Sequence, residues 1–311
     1  MVICPAAALI ALGCAFALAG CGGSGNSTTG ESTSTTAAPP ETLEALWRGP
    51  GQDVAIVPGT SDYGTGMNRV SFLIVNKQSQ LVERPTARVW IARGLRQKPY
   101  AETTAKLEPI GVPGGATADA QNIYVTAVKT PTPGTYWILA EPVGGKRIQA
   151  LGNLVVRKQA AAPSVGGRAI PSRNPTVQPG ADAKTVKAAT TSEPPDLNLL
   201  RTTVAAAMAA KRPFVVTFAT PAFCQTRTCG PVVQVVQSVA KDWRGKGVDF
   251  IHIEIYKDND PAKGTNRWVN EWNLQSEPFT FVADRTGVIR TRLEGAFSSA
   301  ELEAAVSKVS P

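Results

Sequence analysis

Two stretches that are poor in large apolar residues divide this 311-residue chain and limit what it can fold into. Residues 22–40 are mostly Gly, Ser and Thr, and residues 158–195 carry six prolines among small side chains. The first composition is typical of a flexible tether and the second of a stiffer, extended linker. The chain is therefore expected to contain two folded regions, residues 41–157 and residues 196–311, each of ordinary domain size.

The N-terminal twenty residues carry no charged side chain and form an apolar run that ends in small residues, as in a secretory signal. Leu18, Ala19 and Gly20 then precede Cys21, and this pattern resembles the bacterial lipoprotein signal. The resemblance implies a signal peptide over residues 1–20, lipidation of the Cys21 thiol and a tether over residues 21–40. We therefore expect a lipid anchor in the cell membrane with the folded regions on its extracytoplasmic side. An ordinary cleaved signal and an uncleaved anchor are the alternatives.

Charge and cysteine content narrow the function classes. The net charge of +8 is spread thinly, and the absence of a dense basic stretch with interleaved aromatic residues argues against a nucleic-acid partner. Five cysteines are too few for a disulfide-dense scaffold of this length. If the signal is removed and Cys21 is acylated, only Cys224 and Cys229 remain as a pair. They would lie in a compartment where disulfides persist.

Residues 41–157 have the pattern of an all-β domain. Short runs rich in β-branched and aromatic residues alternate with turn residues; the runs are Asp53–Val57, Val70–Val75, Ala87–Ala92, Ile123–Val128, Thr135–Ala140 and Ile148–Val156. The turn at residues 133–136 resembles the strand entry of immunoglobulin-like and fibronectin-like sandwiches, which implies a β-sandwich of about 110 residues. No pattern of catalytic side chains occurs in this region, so we expect a spacer or a module that binds an unknown partner.

Residues 196–311 alternate helical and strand patterns in the order α-β-α-β-α-β-β-α. The run 214–219 is almost continuously apolar, as expected for a buried parallel strand, and residues 232–243 have helical spacing. Residues 279–283 and 288–293 flank a turn sequence at 284–287. A capping box at residues 298–301 predicts the start of the last helix.

Three features of residues 196–311 resemble the thioredoxin fold. A strand, an aromatic residue next to a cysteine, a second cysteine and a helix follow one another from Phe218 to Trp243. The segment Glu277–Thr280 matches the position of the family's cis-proline loop, and a hairpin and a terminal helix follow it. The resemblance implies an α/β thioredoxin-like domain.

The resemblance also implies thiol–disulfide exchange on protein substrates without a dissociable cofactor. A thiolate attacks a disulfide and a second thiol resolves the mixed intermediate. We assign the attack to Cys224, which follows the strand, and the resolving role to Cys229, near the first helical turn. The family pattern implies that Pro278 lies against the sulfurs, and that Phe223 and the backbone of Glu277 contact the substrate.

This sequence departs from the family in the spacing of its cysteines. Four residues separate Cys224 from Cys229, whereas the family has two. Residues five apart on an α-helix have Cα atoms about 8 Å apart, and a disulfide needs about 4.4–6.8 Å, so residues 224–228 are expected to form a loop. The strand before Cys224 also has no acidic residue where the family often has a buried Asp. Arg227 is expected to favour the thiolate form.

Two other interpretations of the cysteine pair remain open. In the first, the pair is a structural disulfide, and the protein is a non-catalytic binding or assembly lipoprotein on a thioredoxin-like scaffold. In the second, the pair handles a metal, with His252 as the only histidine in the chain and only three methionines available. A lone histidine within a buried strand is usually a hydrogen-bonded packing residue. We therefore predict no metal site.

Overall fold

The computed structural model describes residues 42–115, 120–224 and 228–310, which belong to a unit that runs from Pro40 to Pro311. The expected signal, Cys21 and the tether lie outside the described residues, as does Arg227. Among the described residues, no helix combines the length and the apolar character needed to cross a membrane.

The first half of the described chain is a seven-stranded β-unit, preceded by the short helix α1 (Leu43–Trp47). Its strands follow the order β1-β2-β5-β4-β3-β6-β7 across the ladder. They are β1 (Gln52–Pro58), β2 (Gly66–Val75), β3 (Thr86–Ala92), β4 (Ala101–Pro109), β5 (Asn122–Thr130), β6 (Gly134–Pro142) and β7 (Ile148–Val156).

The ladder of this β-unit closes into a barrel, whereas the sequence predicts two separate sheets. Strand β4 connects what would otherwise be two sheets, because residues 101–106 pair with β3 and residues 106–109 pair with β5. Strand β1 closes the other side, since it pairs antiparallel with β2 and parallel with β7. Hydrogen bonds therefore link all seven strands continuously.

Alternating side chains fill the inside of the barrel. Val70, Phe72 and Ile74 of β2 are each at most 1% exposed, as expected when every second residue of a strand faces one side. The ring of Phe72 stacks on Tyr124 with centroids 5.6 Å apart. At the rim, the Tyr136 hydroxyl donates to the Thr132 carbonyl oxygen at 2.7 Å and fixes the turn before β6.

A four-stranded sheet follows, in the order β11-β10-β8-β9. Strands β8 and β9 are parallel, and β10 runs antiparallel to β8 and β11. The strands are β8 (Phe214–Phe218), β9 (Asp249–Ile253), β10 (Phe279–Ala283) and β11 (Ile289–Glu294). The helices are α2 (Ala183–Ala189), α3 (Val204–Ala209), α4 (Cys229–Asp242), α5 (Arg267–Glu271) and α6 (Ser299–Ser307).

Both faces of this sheet are buried, which explains the almost continuous apolar run in β8. Val215 packs in one cluster with the apolar residues of α4 and α6. Its neighbours Val216 and Phe218 point the other way, into a cluster that includes residues of α3 and α5. The sheet is therefore the middle layer between two sets of helices.

Residues 158–195, whose composition predicts an extended linker, lie along the second sheet. Ala162 and Ala169 are buried in its core, and the backbone around Arg168 pairs with Val288 at the outer edge of β11. Farther on, the Thr191 side chain donates to the carboxylate of Glu254 at 2.9 Å. Small side chains allow this close contact, and the sheet edge supplies partners for the backbone.

Buried charges join the β-unit to the second sheet. Arg69 of β2 donates to Glu301 of α6 at 2.7 and 2.9 Å. Arg292 of β11 donates at 2.6 Å to Asp62, whose side chain is only 2% exposed. The backbone N–H of Asp62 in turn donates to Glu294 at 3.0 Å. Removing one member of a buried pair typically costs about 3–5 kcal/mol, so these contacts hold the two parts together.

Candidate functional site

The two cysteines meet at the start of α4. Cys229 is the first residue of this helix, and Cys224 lies in the loop that follows β8. The backbone N–H of Cys229 donates to Sγ of Cys224 at 3.3 Å. Cys229 is fully buried and Cys224 is partly exposed. The structure therefore brings the predicted pair together, with Cys224 outside the helix, as its spacing from Cys229 requires.

The thiol of Cys229 holds its proton tightly. The hydrogen bond to Cys224 is the largest cause that raises the pKa of the Cys229 thiol, and burial and the charge of Cys224 raise it further. Ionising Cys229 as well would place two negative sulfurs in contact inside the protein. The proton is therefore held on Cys229, while the sulfur of Cys224 receives hydrogen bonds.

The proline loop lies beside the sulfurs. The Glu277–Pro278 peptide bond is cis, and the loop leads directly into β10, which pairs with β8. The backbone N–H of Gly295 donates to the Pro278 carbonyl oxygen at 2.8 Å and ties the loop to the end of β11. This places the residue before the proline at the cysteine pair.

The side chain of Glu277 faces the sulfurs, which the sequence prediction missed. A carboxylate oxygen of Glu277 and the Sγ atoms of Cys224 and Cys229 all lie within 4.8 Å of one another. Its Oε2 atom is buried and has no hydrogen-bond partner among the described residues. Burial raises the pKa of Glu277 to about 7, and the charges of Cys224 and Glu254 add to this effect. The sequence signal for this contact was the acidic residue directly before the proline, but the sequence prediction gave a role only to the backbone of that residue.

A second carboxylate, that of Glu254, is buried and interacts with Glu277 through its charge. It follows β9, and its Oε1 atom accepts hydrogen bonds from the backbone N–H and the side chain of Thr191. Its Oε2 atom is buried without a partner among the described residues. Its charge contributes to the raised pKa of Glu277. Two acidic side chains that interact through their charges thus each have a buried oxygen without a hydrogen-bond partner among the described residues.

His252 takes no part in the sulfur cluster. Its Nε2 atom lies 3.0 Å from the carbonyl oxygen of Ala219, which can only accept, so Nε2 carries the proton. Its Nδ1 atom lies 3.4 Å from the hydroxyl of Thr190. The ring is almost fully buried and acts as a hydrogen-bonded packing residue within β9.

Aromatic side chains border the exposed side of the site. Phe223, which precedes Cys224, is 39% exposed and packs edge-on against Tyr256 with ring centroids 6.3 Å apart. Burial raises the pKa of Tyr256, and the charges of Glu277 and both cysteines contribute. A cavity of about 500 Å³ extends from Tyr256 along Glu254 towards Trp268. Apolar surface is thus available next to the partly exposed sulfur.

Comparison with solved structures gives several weak neighbours, among them a thioredoxin-family protein and a filamin domain. No protein-family model matches the chain, and no curated protein matches it. A thioredoxin-family thiol:disulfide interchange protein from Chlorobium tepidum is 16% identical, with a TM-score of 0.25 over 32% of this chain and 80% of its own. The filamin domain of Lin-41 is 11% identical, with a TM-score of 0.20 over 35% of this chain and 95% of its own.

Proposed function

We propose that this protein catalyses thiol–disulfide exchange on protein substrates through Cys224 and Cys229. The observation that carries the proposal is the contact between the two cysteines, in which a partly exposed sulfur accepts the N–H of a buried partner. N–H donors at a helix start stabilise a thiolate, which is the reactive form of cysteine. The strand order of the second sheet and the cis-proline loop support a thioredoxin-like fold for this region.

The exchange proceeds in two displacements. In the reducing direction, the Cys224 thiolate attacks one sulfur of a substrate disulfide, the substrate S–S bond breaks, and a substrate thiolate leaves. Cys229 then attacks Sγ of Cys224, which releases the second substrate thiolate and leaves a Cys224–Cys229 disulfide. Two electrons have moved from the protein to the substrate. The oxidising direction is the reverse of these steps.

The resolving step requires that the buried Cys229 lose its proton. The carboxylate of Glu277 lies within 4.8 Å of this sulfur and has an oxygen without a partner among the described residues. A group that titrates near neutral pH is suited to accept a proton and return it. Glu277 therefore acts as the proton acceptor for Cys229, while Phe223, Pro278 and the backbone before the proline contact the substrate.

The proposed location is the extracytoplasmic face of the cell membrane. The sequence up to Cys21 supports it, since it resembles a lipoprotein signal, and the proposed anchor is a lipid on that cysteine. For the β-unit, whose strands form a closed barrel, the proposed role is that of a module that binds a partner or sets a distance from the membrane. Thiols are oxidised in such a compartment, so a separate redox partner must return Cys224 and Cys229 to their active redox state after each turnover.

Trapping of mixed disulfides tests the proposed activity. Cys229→Ser removes the resolving thiol, so the variant is expected to accumulate mixed disulfides with substrate proteins on non-reducing gels. Cys224→Ser is the matched control and should trap none, because the attacking sulfur is gone. The absence of trapped partners with Cys229→Ser would contradict the proposal.

The reduction potential of the pair provides a second measurement. Exchange-active pairs lie between about −120 and −270 mV, whereas structural disulfides lie below about −300 mV. We expect a value in the first range. A reduction potential below about −300 mV would identify the pair as a structural disulfide and favour a non-catalytic binding protein.

A further inference from the structure

Three potential metal ligands converge at the cysteine pair. The Sγ atoms of Cys224 and Cys229 and a carboxylate oxygen of Glu277 lie within 4.8 Å of one another. They come from three separate parts of the fold, namely the loop after β8, the first residue of α4 and the loop before β10. His252, the histidine considered in the sequence, is not among them.

The distances between these atoms are close to those of a metal site. Zinc binds thiolate sulfur at about 2.3 Å and carboxylate oxygen at about 2.0–2.2 Å, so its tetrahedral ligands lie about 3.5–3.8 Å apart. The three atoms therefore need to approach one another by about 1.3 Å at most. Rotation of the Glu277 side chain and of the partly exposed Cys224 side chain can supply such a shift.

The charge of the site also favours a cation. The buried Oε2 atom of Glu277 has no donor among the described residues, and Glu254 lies close enough to interact with it. With both thiols ionised, the three ligands would carry three negative charges, which is costly in a buried site. A divalent ion offsets two of them. Two soft sulfur ligands and one oxygen suit zinc and similar d¹⁰ ions, rather than magnesium or calcium.

We propose that the reduced protein binds one divalent ion of the zinc class through Cys224, Cys229 and Glu277. The proposal uses the residues of the proposed exchange site but does not depend on exchange activity. Binding releases the protons of the two thiols. Oxidation by a substrate disulfide transfers two electrons to the substrate, joins the two sulfurs and releases the ion unchanged.

Zinc titration of the reduced protein tests this site. Competition with a chromophoric chelator is expected to show one Zn²⁺ per chain, and Cd²⁺ should give the charge-transfer absorption of thiolate ligands. Zn²⁺ should raise the melting temperature of the reduced protein but not of the oxidised protein. Absence of binding, or equal binding by the oxidised protein, would overturn the proposal.

Glu277→Gln separates the three-ligand site from capture by two thiolates alone. This variant should bind Zn²⁺ at least about tenfold more weakly, since even changes around the ligands cost about 10–100-fold in metal affinity. Glu277→Asp keeps a carboxylate, so its affinity for Zn²⁺ should lie between that of the parent protein and that of Glu277→Gln. Glu303→Gln is the matched control, because it removes an exposed carboxylate of α6 that is not among the three ligands, and it should leave the affinity unchanged. Unchanged affinity in Glu277→Gln would refute the assignment of Glu277.

The exchange assay keeps the two proposals apart. Exchange activity in the presence of a chelator, without zinc binding, would refute the metal site and leave the proposed function standing. Zinc binding without trapped substrates would refute the proposed exchange activity and leave the metal site standing.

Discussion

Replacing Glu277 by Gln should stabilise the reduced protein above neutral pH and change little at low pH. The pKa of this carboxyl is raised from 4.5 to about 7, chiefly by burial, so the folded state binds its proton more tightly than the unfolded state. Stability from this proton is fully present below pH 4.5 and is lost as the pH rises through about 7. Above that pH the folded protein holds an unfavourable charge, which Gln lacks.

The magnitude of the stabilisation follows from the pKa shift of Glu277. A shift of this size corresponds to about 3 kcal/mol at most, since each pKa unit is worth about 1.4 kcal/mol. The side chain is partly exposed, and screening by solvent reduces the expected gain to about 1–2 kcal/mol. Glu277→Gln is therefore expected to be more stable than the parent protein by this amount at pH 8 and equally stable at pH 4.5.

Urea unfolding at the two pH values measures this difference directly. A reductant present throughout prevents a disulfide between the two cysteines, so that only the side chain at position 277 differs between the two proteins. Glu303→Gln is the matched control, because Glu303 is exposed on α6 away from the sulfurs. The same stability difference at pH 4.5 and at pH 8 would refute the assignment of a buried, proton-binding carboxyl to this position.

Other parts of the structure give further predictions. Asp62→Asn removes the nearer of the two buried carboxylates beside Arg292, the other being Glu294 at 3.9 Å, and we expect a loss of about 3–5 kcal/mol in urea unfolding; a loss below about 1 kcal/mol would contradict a joining role. Phe218→Ala removes a fully buried ring from the second sheet and should cost about 3–5 kcal/mol in the same assay, unless the core refills the cavity. Mass spectrometry of the mature N-terminus should find a lipid on Cys21, and an unmodified cysteine there would reject the proposed anchor.

The sequence predicted most strands because burial leaves a clear pattern in the residues. The run at β8 and the alternation in β2 are both visible without coordinates. Strand β4 was missed, since it carries charged residues such as Glu102 and Lys106 on exposed positions and includes few large apolar side chains. Its role in closing the barrel depends on pairing with two other strands, which local composition does not encode.

Residues 158–195 are a second case in which local composition does not determine the structure. Their Pro- and Ala-rich composition is typical of an extended spacer, yet small side chains also allow a segment to lie flat on a sheet. At the site, the order of strand, two cysteines and helix in the sequence predicted that Cys224 follows β8 and that Cys229 lies near the start of α4, where the structure has it. The carboxyl of Glu277 was not, because its approach to the sulfurs depends on how two loops distant in sequence meet.

The closed ladder of the β-unit restricts how another protein can attach to it. An open sheet offers a row of unpaired N–H and C=O groups, to which a foreign strand can add. Here β1 and β7 are paired with each other, so the described barrel has no such row. A partner must instead recognise side chains and turns, such as the exposed Met67 and Val143 near the strand ends. The same closure protects the unit from joining with further copies of itself through their backbones.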